Sequence, residues 1–251
     1  MAPFRFKHFQ VCHDKSALKV GVDGVLIGAW TGHCLQNENL FADRILDAGC
    51  GCGLIALMIA QLQPHALIDA LDFHHDSVEE ASFNFNNSPW GPRLNAIESD
   101  ICTFTELLSN RGVYDLIVSN PPFFNSGVCP KESAREFARH QGTLSPRSLI
   151  HFSKHLLKDE GRLFLIAPFG QKEELLDECR VAKMYPIRVC EVQDSVLKLP
   201  KRIMLEVSKS WNSETVAKFD DYIVEKLSLR EPDGKYSEDY KKLTGEFYLD
   251  F

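Results

Sequence analysis

An asparagine, two prolines and a phenylalanine follow an apolar segment in the middle of the chain. Residues 114–119 read YDLIVS, which is typical of a buried strand, and Asn120-Pro121-Pro122-Phe123 comes directly after it. The side-chain oxygen of Asn120 and the backbone carbonyl of Pro121 can each accept one proton of an amino group, and proline holds that carbonyl in place because its ring fixes φ. Phe123 offers a face on which a planar base can stack. The four residues are therefore candidates for orienting an exocyclic amine; the alternative is a plain Pro-Pro turn with buried phenylalanines.

A glycine-rich segment ends another predicted strand upstream. Residues 47–53 read DAGCGCG, in which Gly49, Gly51 and Gly53 alternate with other residues. Such glycines let the backbone turn sharply and approach a ligand where a Cβ would collide. A nicotinamide fingerprint would need one more glycine at position 54, which is leucine. The D-x-G-x-G-x-G pattern instead resembles the first motif of S-adenosylmethionine-dependent methyltransferases, which implies that Asp47 and the three glycines form part of a site for S-adenosyl-L-methionine.

N-P-P-F resembles the catalytic motif of amino methyltransferases, and together with the glycine-rich motif this resemblance implies methyl transfer to a poorly nucleophilic amine. An amine conjugated to a ring has a delocalised lone pair, and acceptors on both of its protons favour a pyramidal nitrogen whose lone pair points at the sulfonium methyl. The methylated nitrogen is acidic and loses its proton to water, so no strong general base is required. Most of the rate would come from holding sulfur, methyl and nitrogen in line.

Two further predicted strands end in acidic residues. Asp72 ends the strand predicted at 66–72, where a carboxylate can accept hydrogen bonds from both ribose hydroxyls of a nucleoside cofactor. Asp69 is the alternative, but strand alternation and the strand end favour Asp72. Asp100 ends the strand predicted at 94–100 and is placed to accept the adenine amino proton, with Ile101 against the ring. An ordinary solvated loop acid is the other interpretation of Asp100.

Strands and helices alternate along the chain. Predicted strands cover residues 44–49, 66–72, 94–100, 114–120, 161–168, 187–193 and 202–208. Predicted helices cover 54–62, 77–87 (with Asp76 or Ser77 as N-cap), 146–158 and 172–181. This alternation predicts an α/β fold with a doubly wound, mostly parallel, seven-stranded sheet and helices on both faces. Ligands of such a sheet bind at the carboxyl ends of its strands, where both motifs and both acids lie.

Composition indicates one folded, cytoplasmic domain. Of the 251 residues 44% are hydrophobic and 25% charged, and no segment approaches the ~18 apolar residues of a membrane span. The N-terminus carries charges where a signal peptide would be apolar. The eight cysteines include no C-x-x-C pair, which favours reduced thiols, and His74-His75 has no partner at metal-ligand spacing. We expect a single domain over 1–251, with 1–30 as an N-terminal extension, no metal and no membrane contact.

The distribution of charge is uneven. The net charge of −7 argues mildly against a simple nucleic-acid coat protein, which usually has a basic excess. Basic residues nevertheless gather in three clusters, at residues 5–19, 131–147 and 198–202. Each cluster alone is most simply solvated surface, but together they could form a basic face on an acidic body.

The N-terminal segment points to one family among the methyltransferases. Residues 19–24 read KVGVDG, and this stretch resembles the bacterial tRNA1(Val) (adenine-37-N6)-methyltransferase family together with ILDAGCGCG, SNPPFF and the closing LTGEFYLDF. The resemblance covers nearly the whole chain and implies a Rossmann-like class I methyltransferase fold. It further implies that Lys19, Gly21 and Asp23 hold the methionine end of the cofactor, with Asp23 on the ammonium. Val22 replaces an expected small polar residue, and Asp23 could instead be the N-cap of the next helix.

The resemblance also implies a substrate. N-P-P-[FYW] resembles the motif of methyltransferases that modify adenine N6, cytosine N4 or the glutamine amide, and Phe rather than Tyr at position 123 favours a base. The expected reaction is methylation of adenosine N6 in tRNA, with position 37 of valine tRNA as target and a monomeric enzyme favoured. The segment 125–147 is long for a connection, and its Arg135, Arg139 and His140 are expected to contact tRNA. A release-factor glutamine methyltransferase, an rRNA amino methyltransferase and a catalytically silent RNA-binding or chaperone module are the alternatives.

Overall fold

The central sheet has eight strands, one more than the sequence predicts. The computed structural model describes residues 2–16, 19–122, 144–210, 219 and 221–250. A separate two-stranded hairpin consists of β1 (Phe4–Arg5) and β2 (Gln10–Val11). The strands of the sheet are β3 (Arg44–Ala48), β4 (Leu67–Asp72), β5 (Leu94–Glu98), β6 (Tyr114–Ser119), β7 (Leu157–Pro168), β8 (Tyr185–Ser195), β9 (Arg202–Ser208) and β10 (Ile223–Arg230).

The spatial order of the strands confirms the predicted doubly wound sheet. The order is β10-β8-β9-β7-β6-β3-β4-β5. Strand β9 runs antiparallel to both of its neighbours, β7 and β8, and the other pairs are parallel. All seven predicted strands are present. The unpredicted strand is β10, which lies at the edge of the sheet and buries only Leu227, so its sequence carries little apolar signal.

Seven helices flank the sheet in the described part of the chain. They are α1 (Val22–Asn37), α2 (Leu54–Leu62), α3 (His75–Asn86), α4 (Ile101–Glu106), α5 (Pro146–Leu156), α6 (Lys172–Ala182) and α7 (Glu238–Thr244). The predicted N-cap of α3 is wrong, because His74 is the N-cap and both Asp76 and Ser77 lie inside the first turn. Among the described residues, no helix is both long enough and apolar enough to cross a bilayer.

A hydrophobic core cluster packs on each face of the sheet. Successive strand residues point to opposite faces, so Ile45 and Leu46 are both fully buried but belong to different core clusters. Helices α1 and α2 supply the first cluster, whereas α5 and α6 contribute to the second. Burial on both faces explains why the parallel strands appear as continuous apolar runs in the sequence.

The N-terminal extension is fastened to α3. The backbone N–H of Cys12 donates to Asn84 Oδ1 at 2.9 Å, and the N–H groups of residues 14–16 donate to the Glu80 carboxylate at 2.6–2.9 Å. Burial alone would raise the pKa of Glu80, but the hydrogen bonds from Lys15, Ser16 and Asp14 outweigh it and lower the pKa. This anchorage fixes the segment that leads into α1.

A buried ion network connects α1 to the antiparallel part of the sheet. Glu206 of β9 is 0% exposed, lies 2.6 Å from Arg162 of β7 and 3.3 Å from Arg188 of β8. Both arginines also contact Glu38, the C-cap of α1, at 2.7 Å. Arg188 extends the network to Glu225 of β10 at 3.2 Å. The network therefore joins four strands to one helix end.

Removing Glu206 tests this network. Glu206→Ala leaves two buried guanidinium groups short of a partner, so we expect the free energy of unfolding to fall by about 3–5 kcal/mol. Glu206→Gln should cost less because it keeps an acceptor. The matched control is Glu160→Ala, at an exposed position of β7. This variant should change the free energy of unfolding by less than about 0.5 kcal/mol. Urea unfolding measures all three, and equal effects at positions 206 and 160 would contradict the assigned role.

Candidate active site

A cavity of about 580 Å³ lies at the carboxyl edge of the sheet, beyond β3 and β6. Its wall is formed by Lys19, residues 21–24, residues 49–52 of the glycine loop, residues 54–55 at the start of α2, residues 120–122, and Arg202. Strands β3 and β6 are parallel neighbours, and the Ser119 hydroxyl donates to the Ala48 carbonyl at 2.6 Å, which ties their ends together. The two motifs singled out in the sequence therefore open onto the same cavity.

The glycine loop adopts the backbone that its composition predicts. Gly49, Gly51 and Gly53 have φ values of 74°, 53° and 80°, in the left-handed region that favours glycine. A Cβ on Gly53 would lie 2.4 Å from the Phe85 ring, so packing demands glycine there. A Cβ on Gly51 would meet nothing within 4 Å, because that residue lies at the cavity.

Asp72 supports the glycine loop from the end of β4. Its Oδ2 accepts from the Gly51 N–H at 2.9 Å, and its Oδ1 accepts from the His74 N–H at 2.9 Å. Asp69, the alternative in the sequence, instead accepts from Tyr114 and Arg44 at the other end of the strand. Asp72 is thus beside the loop, although it does not itself line the cavity.

Asp47 lies beneath the loop and is 0% exposed. Its Oδ2 accepts from the Ala56 N–H in the first turn of α2 at 3.0 Å, while Oδ1 has no hydrogen-bond partner among the described residues. Burial raises the pKa of Asp47 to about 7, and the charge of Asp72 contributes in the same direction. Asp47 therefore fixes the loop against α2 rather than facing the cavity.

Asp100 and Ile101 lie outside the cavity wall. Asp100 is the N-cap of α4, with Oδ1 accepting from the N–H groups of Cys102 at 2.8 Å and Thr103 at 3.2 Å. Ile101 is buried in the core. The Ser99 N–H donates to the Asp72 carbonyl at 3.0 Å, so this turn adjoins the end of β4.

The N-terminal segment forms one wall of the cavity. The Lys19 Nζ donates to the backbone carbonyls of His13 at 2.7 Å and Asp14 at 2.9 Å. Gly21 is the N-cap of α1, so the alternative of Asp23 as N-cap is wrong. Asp23 instead forms an ion pair with Arg202. Burial raises the pKa of Asp23, and the arginine opposes that shift.

Arg202 is a cavity residue that the sequence did not single out. It appeared only as one member of the basic cluster at 198–202, although it is the first residue of β9. Asn120, Pro121 and Pro122 lie in the cavity wall, whereas Phe123, Arg135, Arg139 and His140 lie outside the described residues. Within those residues no three His, Cys, Asp or Glu side chains are grouped as metal ligands.

Comparison with known proteins identifies the family. The family model described as methyltransferase small domain matches residues 32–179. A protein of Christiangramia forsetii named tRNA1(Val) (adenine(37)-N6)-methyltransferase is 36% identical over 247 residues, covering 98% of both chains. The chain belongs to this family. A member of the same name from Parabacteroides distasonis is 40% identical over 250 residues, covering 98% of this chain and 97% of the relative.

Solved structures confirm the Rossmann-like class I methyltransferase fold. A protein of Agrobacterium tumefaciens described as a predicted O-methyltransferase aligns with a TM-score of 0.66 at 14% identity, covering 90% of this chain and 96% of that one. The 16S rRNA N2 G1207 methyltransferase of T. thermophilus, solved with AdoMet and guanosine, aligns with a TM-score of 0.57 at 20% identity. That alignment covers 82% of this chain and 50% of the T. thermophilus protein. At these identities the likeness concerns the fold alone.

The raised pKa of Asp47 predicts a specific pH dependence of stability. The pKa is 3.8 for an unperturbed Asp and about 7 in the folded chain, so the folded state binds the proton more tightly. The resulting stability is complete below about pH 4 and is lost as the pH rises through about 7. Asp47→Asn removes this titration, so its free energy of unfolding relative to wild type should rise by about 2–4 kcal/mol between pH 4 and pH 8.

Urea unfolding across that pH range measures the effect. The control is Asp177→Asn, at a side chain that is 71% exposed, whose stability should follow that of the wild type at every pH. Parallel curves for wild type and Asp47→Asn would show that the buried carboxyl does not titrate in this range.

Proposed function

We propose that the chain is a single-domain, monomeric, cytoplasmic enzyme that transfers a methyl group from S-adenosylmethionine to the N6 of an adenosine in tRNA, at position 37 of valine tRNA. The observation that carries this proposal is that the glycine loop and residues 120–122 open onto one cavity. The names of full-length relatives support the choice of nucleotide and tRNA.

The residues of the cavity fit the proposed cofactor. A volume of about 580 Å³ is within the range of small-molecule sites, and the open space at Gly51 allows a ligand to approach the backbone. Asp23 and Arg202 offer opposite charges to the two ends of an amino acid. The proposed cofactor-binding set consists of Lys19, Gly21, Asp23, Gly49, Gly51 and Asn120, which line the cavity, together with Asp47, Gly53, Asp72, Asp100 and Ile101, which lie outside its wall. Asp72 would take the ribose hydroxyls, and Asp100 with Ile101 the adenine.

The catalytic contribution of the chain is orientation. When bound, S-adenosylmethionine supplies an electrophilic methyl group on a sulfonium. The Asn120 side-chain oxygen and the Pro121 carbonyl accept the two amine protons. Pro122 and Phe123 are the other proposed catalytic residues, with Phe123 as the stacking partner of the base. Strand pairing and the Ser119–Ala48 hydrogen bond hold Asn120 at the cavity wall. The proton leaves to water after transfer, so the side chains are required to position the amine and not to remove a proton.

We place the tRNA contact on residues 125–147. In the cluster at 198–202, Arg202 is paired with Asp23 and Lys201 with Asp194, so part of its charge is neutralised locally. The sequence of the longer segment supplies Arg135, Arg139 and His140, which we propose as contacts to the tRNA backbone as the target base leaves its stack.

Replacing Asn120 tests the catalytic assignment. Asn120→Ala removes one of the two proposed acceptors, so methyl transfer should fall by about 10²–10³-fold. Affinity for S-adenosylhomocysteine, measured by titration calorimetry, should fall by about tenfold at most, because Asn120 supplies only one of many proposed cofactor contacts. Asn87→Ala, at an exposed position after α3, is the control and should retain both properties.

The substrate is identified with labelled cofactor. Purified protein is incubated with total tRNA, rRNA and release factors, and labelled nucleosides are separated. We expect label in tRNA as N6-methyladenosine. Label found only in protein, or as methylguanosine, would overturn the proposed function.

The tRNA contact predicts a change in salt dependence. The double variant Arg135→Glu/Arg139→Glu reverses two cations that we propose to contact phosphates, so it should weaken tRNA binding. The plot of log affinity against log salt should become less steep, its negative slope falling in magnitude by about 2. The matched control reverses Lys226 and Lys242, which lie together near β10. If tRNA affinity is unchanged while cofactor affinity falls, the segment does not serve this role.

A further inference from the structure

An ion pair between two distant parts of the chain forms part of the cavity wall. Asp23 lies in the first turn of α1, and Arg202 is the first residue of β9. The Nε of Arg202 contacts Oδ1 of Asp23, and the two side chains remain 27% and 22% exposed, respectively. The pair is therefore accessible from the cavity that both residues line.

Arg202 uses only a fraction of its donors in this pair. A guanidinium carries five N–H donors in a planar fork. The nearest other acidic partner is Asp194 Oδ1, 3.8 Å from Nη1, which is too far for a hydrogen bond. Within the described residues, Nη1 and Nη2 thus keep their donors available while Nε is held by Asp23.

Lys19 is less available than Arg202. Its Nζ donates to the backbone carbonyls of His13 and Asp14, at 2.7 and 2.9 Å, so two of its three protons are already used. Moving the ammonium to a ligand would break both bonds. The fork of Arg202 needs no such exchange, and it matches the two oxygens of a carboxylate.

The apolar residues of the cavity strengthen hydrogen bonds between a ligand and the Asp23–Arg202 pair. Val22, Leu54 and Ile55 contribute apolar walls to the same cavity. A charged hydrogen bond is stronger in such a low-dielectric environment than in water. A ligand that carries an ammonium and a carboxylate on one carbon would meet Asp23 and Arg202 as complementary partners.

We propose that Arg202 binds the α-carboxylate of the cofactor's methionine end through Nη1 and Nη2, while its Nε keeps Asp23 oriented toward the ammonium. The pair is then a receptor for an α-amino acid zwitterion, and Lys19 stabilises the loop at residues 13–14. This inference rests on the proposed function, since it concerns the same cofactor, and it assigns the carboxylate to a residue outside the recognised motifs.

Three ligands separate the contributions in a binding experiment. S-adenosylhomocysteine carries both the amine and the carboxylate, its decarboxylated analogue keeps only the amine, and 5′-methylthioadenosine has neither. For Arg202→Gln we expect the Kd of S-adenosylhomocysteine to rise by about 10–100-fold. The Kd of 5′-methylthioadenosine should change by less than about threefold. The decarboxylated analogue should lose less affinity than S-adenosylhomocysteine, because it loses only the orientation of Asp23 and not a carboxylate contact. Arg202→Lys, which keeps the charge without the fork, should give an intermediate loss for S-adenosylhomocysteine.

Two controls make the result specific. Lys198→Gln changes an exposed cation of the same cluster, and it should leave all three Kd values unchanged. Lys19→Gln should weaken S-adenosylhomocysteine less than Arg202→Gln does; the reverse order would overturn the assignment. Equal losses for S-adenosylhomocysteine and the decarboxylated analogue, or no loss at all, would also overturn it. If the wild-type protein binds none of the three ligands, the proposed function fails together with this inference.

Discussion

The pairing of β3 with β6 determines the relation between the two chemical motifs. The strands are parallel, with Asp47 opposite Val118, so the residues that follow each strand emerge at the same edge. The Ser119 hydroxyl fastens these ends through the Ala48 carbonyl. A slip of one residue would turn every side chain of β6 to the other face of the sheet. The place of the Asn120 amide at the cavity wall therefore depends on this register.

The acidic residues at the strand ends hold the backbone of the turns around the site. Asp72 accepts from Gly51 and His74, Asp100 caps α4, and Asp47 accepts from the start of α2. A carboxylate has about four acceptor positions on its two oxygens, so a structural bond leaves acceptor capacity for a ligand. The turns are consequently fixed before any ligand arrives, which reduces the entropy lost on binding.

The sequence predicts those strands and turns that are marked by a pattern of neighbouring residues. Seven strands are recognisable from apolar or alternating segments, four of which end in Gly, Asp or Pro, and the alternating glycines predict the positive φ angles of the loop. Strand β10 was missed because an edge strand with one buried residue has no apolar pattern. Arg202 was missed for a topological reason. Ligands are expected at the carboxyl ends of the parallel strands. Because β9 runs antiparallel to its neighbours, its first residue, and not its last, lies at the same edge of the sheet as those carboxyl ends.

Strand β9 also explains how the position of α1 is fixed along its length. Arg202 and Glu206 are four residues apart and point to the same face of the sheet, toward α1. Arg202 pairs with Asp23 at the start of this helix, and Glu206 reaches Glu38 at its end through Arg162. Two ion contacts thus hold the helix at both termini, with apolar packing between them. Because the first turn of α1 lines the cavity, the buried network at the far end contributes to the geometry of the site without touching a ligand.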